Sequence, residues 1–139
     1  MSSIKTFSVF GDRVDVFVDS AVSSGLSSTL VQHVQPGGGP PPHSHTNEDE
    51  TFVVLDGEFE MLMNGQWHPL APGEAAYARR GSTHTFRNSG KSIGRIMVIV
   101  TPGGFENYLQ EIGGYSPATD MAEIIEISDR YGITFYLQR

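Results

Sequence analysis

The sequence has no cysteine among its 139 residues, which excludes disulfide bonds, thiolate nucleophiles and iron–sulfur clusters held by cysteine. Basic residues are also few, since nine Lys and Arg stand against 16 Asp and Glu and give a formal net charge of -7. Nucleic acids bind to clustered basic faces, and the adjacent pair Arg79-Arg80 is too small to form one. We therefore expect no nucleic-acid partner.

Long apolar segments are missing as well. The longest unbroken apolar run, from Ile96 to Val100, has five residues, whereas a helix that spans a bilayer needs about 20. The first residues, Met1 to Lys5, carry no apolar stretch of the kind found in secretion signals. A chain of this length usually forms one domain. We expect a single domain over residues 1–139 that stays in the cytoplasm and does not contact a membrane.

What the chain has in quantity is short alternating segments separated by Gly and Pro, which is the pattern of β-strands and tight turns. Strands are predicted at residues 4–10, 14–18, 28–35, 50–55, 58–63, 67–70, 75–78, 83–88 and 93–101. Helical spacing over residues 104–131 predicts a helix from Phe105 to Ile112, a second helix that ends at Gly132, and a last strand at 133–137. The pattern predicts an all-β sandwich or barrel with a short C-terminal helical segment.

Three of the five histidines lie at turn-to-strand boundaries and form a candidate metal site. His43 and His45 are two residues apart, so on a strand both imidazoles project from one face. Glu50 lies on the inward face of its predicted strand, where a carboxylate is costly unless it is paired or binds metal. That cost favours Glu50 as a ligand over Glu48 and Asp49, which we expect to be solvated loop residues.

His84 begins a later strand, and in a closed sandwich that strand can bring its imidazole to the same interior space. Three imidazole nitrogens and one carboxylate suit a divalent transition metal ion. These ligand types do not indicate which of Fe, Mn, Ni, Co, Cu and Zn is bound. Such a set leaves one or two coordination positions open, so catalysis becomes possible. The competing interpretation is a solvent-facing His43 and His45 pair that binds metal only weakly.

Two spaced motifs favour the first interpretation. One consists of glycine, five residues, His-x-His, four residues, glutamate, six residues and glycine, and its members are Gly37, His43, His45, Glu50 and Gly57. The other, over residues 73–88, has the members Gly73, Gly81, His84 and Asn88, with Arg79 where the pattern has proline. In this order and spacing the two motifs resemble the signatures of the cupin superfamily. The position of Arg79 shapes a turn in that pattern and does not bind metal.

The resemblance extends over nearly the whole chain. The segments 40–43, 101–106 and 122–133 are similar to those of small single-domain cupins of the quercetin 2,3-dioxygenase-like type. This implies a jelly-roll β-barrel, one divalent metal ion held by His43, His45, Glu50 and His84, and often a homodimer. It leaves the reaction open, because one fold hosts many activities.

The leading hypothesis is a metal-dependent oxygenase of the dioxygenase type that acts on a small aromatic or enol-bearing molecule. Glu50 then serves as a ligand and, as the resemblance implies, as the catalytic group that accepts a proton from a substrate hydroxyl. The alternatives are a metal-dependent isomerase or cyclase, and a cupin that only binds a small molecule without catalysis.

The substrate pocket is expected to be lined by large apolar side chains. The candidates are Phe52, Phe59, Met61, Tyr77 and Phe86, for which plain core packing is the competing interpretation. Gln32 or His33 also reaches the cavity, depending on the register of their strand.

Overall fold

The computed structural model describes residues 4–137 and confirms the mostly β fold with short helices. Residues 1–3 and 138–139 of the predicted domain lie outside the described residues. The strands are β1 (Lys5–Val9), β2 (Asp12–Val18), β3 (Ser28–Val34), β4 (His43–His45), β5 (Asp49–Asp56), β6 (Phe59–Met63), β7 (Gln66–Leu70), β8 (Ala75–Ala78), β9 (His84–Asn88), β10 (Gly94–Thr101) and β11 (Ile133–Phe135). The helices are α1 (Ser20–Ser23), α2 (Phe105–Ile112) and α3 (Met121–Arg130).

The strands form two antiparallel sheets. One has six strands in the order β1-β2-β3-β10-β5-β8, and the other has five in the order β11-β4-β9-β6-β7. Along β5 every second side chain is buried, namely Glu50, Phe52 and Val54, as expected for a strand with one face on the core. The inward faces of both sheets contribute to one cluster of buried apolar side chains, and the metal-site candidates lie among them.

Strand β10 lies inside the six-stranded sheet and pairs with β3 on one side and β5 on the other. Residues that pair across an antiparallel ladder share a face, so the inward side chains stand in rungs across the three strands. We define the first rung as Ser28, Val100 and Glu50, the second as Leu30, Val98 and Phe52, and the third as Gln32, Ile96 and Val54. The rungs show how far each inward side chain lies from Glu50.

The turn between β5 and β6 explains one glycine of the first motif. Gly57 has a φ angle of 92°, and a Cβ atom at this position would lie 2.8 Å from the Cα atom of Gly94. A side chain would therefore collide with the backbone at the start of β10. The motif needs glycine here because two backbone segments approach closely.

The C-terminal segment returns to the five-stranded sheet. Helix α2 has the predicted bounds, and β11 pairs with β4 so that Ile133 lies opposite His45 and Phe135 opposite His43. The predicted last strand at 133–137 is too long, since β11 ends at Phe135. Helix α1 was not predicted, because a single turn shows no apolar periodicity; its N-cap Asp19 accepts a hydrogen bond from the backbone N–H of Val22.

None of the helices within residues 4–137 is both long enough and apolar enough to cross a membrane.

Candidate metal centre

Three strands from two sheets bring the candidate ligands together. His43 and His45 lie on β4 and His84 on β9, where His43 and His84 are paired across the ladder of the five-stranded sheet. Glu50 comes from β5 in the six-stranded sheet. All four side chains are buried, with exposures between 1% and 8%. Residues distant in sequence therefore meet in the interior between the sheets.

The ligand atoms converge on a single point. The Nε2 atom of His84 lies 2.9 Å from Oε1 of Glu50, and the Nε2 atom of His45 lies 3.0 Å from the same oxygen. With His43 included, one ligand atom from each of the four residues lies within 4.8 Å of all the others. This group can hold a metal ion.

Two of the histidines are oriented by their own backbone. Nδ1 of His43 donates a hydrogen bond to the carbonyl oxygen of Pro41 at 2.8 Å, and Nδ1 of His84 donates one to that of Ser82 at 3.0 Å. In each case the acceptor lies two residues earlier in the chain. A carbonyl can only accept, so Nδ1 carries the proton and Nε2 keeps its lone pair for a metal.

The third histidine has a carboxylate beside its outer nitrogen. Nδ1 of His45 lies 3.4 Å from Oε1 of Glu48, whose side chain is 16% exposed, but it makes no hydrogen bond within the described residues. Glu48 lies in a loop, as the sequence predicted, but its side chain is half-buried and not solvated. The contact depends on the conformation of the loop between β4 and β5, for which the sequence shows no signal.

The four buried side chains lie so close together that they shift one another's pKa values. Burial together with the neighbouring His45 and His84 lowers the pKa of His43 to about 3. Burial also disfavours a charge on His45, but the carboxylates of Glu50 and Glu48 outweigh it and raise the pKa of His45 to about 9. Burial would raise the pKa of Glu50, yet the charge and hydrogen bonds of its histidine neighbours hold it below its usual range. Glu50 is therefore ionised at neutral pH, as a ligand must be.

The residues fit a divalent transition metal ion. A buried carboxylate surrounded by three imidazoles has the donor chemistry that such ions prefer. His43 and His84 are held with Nε2 turned toward the group by the hydrogen bonds from Nδ1, which is the usual arrangement around protein-bound metals.

Beside the group lies a small cavity of about 60 Å³ with mostly apolar walls. Phe52 and Phe86 line it, whereas Phe59 and Met61 are buried core residues that do not. The apolar wall includes Val14, Leu30, Phe52, Phe86, Val98 and Phe135. The site therefore combines a polar end with apolar surroundings.

Tyr77 does not belong to the pocket, contrary to the prediction. The pairing of β8 with β5 places Ala76 opposite Phe52 and Ala78 opposite Glu50, so the two alanines face inward. Tyr77 pairs with Thr51 on the outer face and is 53% exposed. The sequence interpretation assumed that the largest side chain of this strand points inward, but the register decides the face.

The register of β3 also decides between Gln32 and His33. Gln32 is 8% exposed and lines the cavity, while His33 is on the other face of the strand, 3.1 Å from a carboxylate oxygen of Asp15. The sequence left these two alternatives open, because strand parity alone does not say which face is inward.

Comparison with known proteins points to one family. A family model for the cupin domain matches residues 30–100 of the chain. A quercetin 2,3-dioxygenase from Bacillus subtilis is 31% identical over 71 residues, which make up 51% of this chain and 21% of that protein. The chain spans half or less of the length of the curated relatives that it matches.

Solved structures agree with this family. A conserved Klebsiella pneumoniae protein with a double-stranded β-helix domain is 30% identical and has a TM-score of 0.57, over 64% of this chain and 70% of that one. KdgF from Halomonas sp. has a TM-score of 0.65 over 76% of this chain and 91% of its own. At 17% identity, the likeness to KdgF bears on the fold alone.

Proposed function

This chain belongs to the cupin family, and from that premise we propose that it is a metal-dependent oxygenase of the dioxygenase type. The single observation that carries the proposal is the convergence of His43, His45, Glu50 and His84 at one end of an apolar cavity. Four protein ligands leave one or two positions free around an ion that takes five or six ligands. The likeness to the Bacillus subtilis quercetin 2,3-dioxygenase supports the oxygenase class.

Each residue of the group has a defined task in this proposal. The three histidines would hold the ion through nitrogen, and Glu50 would hold it through its carboxylate. When bound, a divalent transition metal ion supplies Lewis acidity and, if it is redox-active, reactivity toward O₂. A carboxylate oxygen of Glu50 accepts the proton of a substrate hydroxyl, which places the negative charge of the resulting enolate next to the site.

The cavity limits the size and chemistry of the substrate. Its volume of about 60 Å³ is small beside the roughly 300–1,000 Å³ of pockets that take drug-sized ligands. Phe52, Phe86 and Val98 provide apolar walls beside the metal-binding end. A single aromatic ring or a short enol fits these dimensions better than a fused-ring system. The proposed substrate is thus a small aromatic or enol-bearing molecule.

The proposal includes a homodimer in the cytoplasm. The resemblance of the chain to small cupins supports the dimer, and the lack of an apolar span in the sequence supports the compartment. Both stay predictions, and light scattering of the purified protein tests the first of them.

The proposal is tested by turnover with each metal in turn. Protein loaded with Fe, Mn, Ni, Co or Cu is incubated with a panel of small enols and phenols while dissolved O₂ is followed. We expect O₂ consumption with at least one redox-active ion. Product formation without O₂ would contradict the oxygenase and favour an isomerase or cyclase that uses the metal as a Lewis acid.

The variant His84→Ala separates catalysis from simple binding. An oxygenase loses its activity when this ligand is removed, whereas a cupin that only binds a small molecule keeps nearly all of its affinity. Absence of O₂ uptake with every metal and every enol tested would contradict the proposal.

A further inference from the structure

The cavity next to the metal group has a second polar end. Besides the ligands, two of the described residues that line it have polar side-chain atoms, Gln32 and Tyr108. The hydroxyl of Tyr108 is hydrogen bonded to Ser128 at 2.7 Å, so it is already satisfied. Gln32 is 8% exposed, although its neighbours in the third rung, Ile96 and Val54, are fully buried apolar residues. A buried amide among apolar side chains costs free energy unless it is hydrogen bonded.

The two polar ends are separated by an apolar rung. Glu50 belongs to the first rung and Gln32 to the third, and between them lie Leu30, Val98 and Phe52 of the second rung. All five of these residues line the cavity. Four residues of strand separate the first rung from the third, or about 13 Å at the rise of a β-strand. The cavity is therefore polar at both ends and apolar in the middle.

The hydrogen bonds of Asp12 fix the orientation of the Gln32 amide. One carboxylate oxygen of Asp12 accepts a hydrogen bond from the backbone N–H of Gln35, and the other accepts one from Nε2 of Gln32, each at 3.2 Å. Because a carboxylate accepts and does not donate, the amide NH₂ must face Asp12. The hydrogen bond to Asp12 occupies the NH₂ group, and no donor to the carbonyl Oε1 of Gln32 is found among residues 4–137.

We propose that Gln32 is a specificity-determining residue whose Oε1 accepts a hydrogen bond from the substrate. The substrate class is then a small enol or phenol with an apolar middle and a second group that donates a hydrogen bond, remote from the oxygen that meets the metal. Asp12 is a positioning residue, since it acts only through the orientation of Gln32. The inference rests on the proposed function, because it takes the His43, His45, Glu50 and His84 group as the end that binds the substrate oxygen.

A matched pair of ligands tests the acceptor. Kojic acid is a hydroxypyranone with an enol oxygen and a carbonyl that chelate metals, and it carries a hydroxymethyl group on the other side of its ring. Allomaltol has a methyl group in place of that hydroxymethyl group and is otherwise identical. The dissociation constants of both are measured by calorimetry with the zinc-loaded protein, because zinc has no redox chemistry that would consume them.

We expect kojic acid to bind about tenfold more tightly than allomaltol, which is the effect of one hydrogen bond to a buried acceptor. Gln32→Leu removes the acceptor and should abolish the difference, chiefly by weakening the binding of kojic acid. Gln32→Met provides a second apolar replacement, and thermal unfolding checks that either variant is folded. Thr29→Val is the control, because Thr29 lies on the outward face of the same strand and should leave the preference unchanged.

A variant at Asp12 gives an independent test. In Asp12→Asn the side-chain oxygen still accepts from Gln35, so the new NH₂ group faces Gln32 and the Gln32 amide turns its own NH₂ toward the cavity. The test ligand is kojic acid with its hydroxymethyl group converted to a methoxymethyl group, which accepts a hydrogen bond but does not donate one. It should bind Asp12→Asn about tenfold more tightly than it binds the unmodified protein. An unchanged affinity for the ether would contradict the positioning role of Asp12.

The outcomes distinguish this inference from the proposed function. Equal affinities of kojic acid and allomaltol for the unmodified protein, or a preference that survives Gln32→Leu, would overturn the role of Gln32 and leave the metal site intact. Failure of the protein to take up zinc, or of both pyranones to bind the zinc-loaded protein, would contradict the proposed function itself.

Discussion

At the scale of single residues, the site depends on which nitrogen of each histidine faces inward. His43 and His84 are fixed by carbonyl groups two residues away, which come with the local backbone and need no further side chain. His45 instead has the carboxylate of Glu48 beside its Nδ1, at 3.4 Å and without a hydrogen bond. The ligand set was predictable from motif spacing and from the cost of burying Glu50, whereas Glu48 was not, because the loop conformation that brings it to His45 leaves no periodic pattern in the sequence.

The contact between Glu48 and His45 predicts a loss of metal affinity when it is removed. Glu48→Ala removes the carboxylate beside Nδ1 of His45, and loss of such an outer partner costs about 10- to 100-fold in metal affinity. Competition with a chelator of known affinity measures the change. Asp49→Asn is the control, since Asp49 contacts Arg80 and not a histidine. Equal affinities of Glu48→Ala and the control would show that Glu48 does not orient the ligand.

The raised pKa of His45 predicts that metal binding is linked to proton release. In the metal-free protein this pKa is about 9, so His45 is protonated at neutral pH, and the metal takes only the neutral imidazole. Each ion bound therefore displaces one proton from His45. The apparent affinity should rise about tenfold per pH unit as the pH approaches 9 and level off above it. His43, with a pKa of about 3, releases none.

Calorimetry in two buffers with different heats of ionisation counts the released protons. We expect about one proton per metal ion from His45 near pH 8. A binding enthalpy that does not depend on the buffer would contradict the assignment of the protonated state to His45.

At the scale of strands and turns, the sequence predicted most elements and missed those that depend on long-range register. The alternation in β5 and β10 is strong because one face of each strand is buried. The three-residue strand β4 is too short to show a period, and it is missing from the predicted strands, although its two histidines were identified as candidate ligands. Tyr77 was placed on the wrong face because its strand, Ala75 to Ala78, contains only alanines besides the tyrosine.

The loop before β4 predicts a strong difference between two glycine substitutions. A Cβ atom on Gly39 would lie 2.1 Å from the carbonyl oxygen of Phe86, and its φ angle is 139°. Gly39→Ala should therefore lower the free energy of unfolding by about 2 kcal/mol or more. Gly65 also has a positive φ, of 74°, but nothing lies within 4 Å of the added Cβ, so Gly65→Ala should cost only about 1 kcal/mol.

Urea unfolding of both variants measures the two costs. Because Phe86 also lines the cavity, Gly39→Ala should weaken metal binding as well if the loop shifts. Equal stabilities of the two variants would show that the loop moves away from β9 at little cost.

At the scale of the whole molecule, metal binding and folding are coupled because the ligands come from both sheets. His43, His45 and His84 belong to one sheet and Glu50 to the other, so the complete group exists only when the two sheets are packed together. The overall architecture was predictable from short strands and two spaced motifs. The shape of the cavity was not, since it depends on how Phe52 and Phe86 pack across the sheets.

This coupling predicts that the metal raises the melting temperature. A ligand that binds only the folded state at 100 times its dissociation constant adds about 2.7 kcal/mol to the free energy of unfolding. For a chain of this size the melting temperature should rise by roughly 5–10 °C. Differential scanning calorimetry of the protein with and without a chelator measures the shift. A chelator that has no effect on the melting temperature would contradict the coupling between the two sheets.

The most direct measurement of the central claim is elemental analysis of the purified protein and of its ligand variants. The account predicts about one transition metal ion per chain in the unmodified protein and a large loss in His43→Ala, His45→Ala, Glu50→Gln and His84→Ala. His68→Ala, which changes a histidine on β7 outside the group, should retain the metal. A protein that takes up no metal, or ligand variants that keep the full amount, would contradict the account.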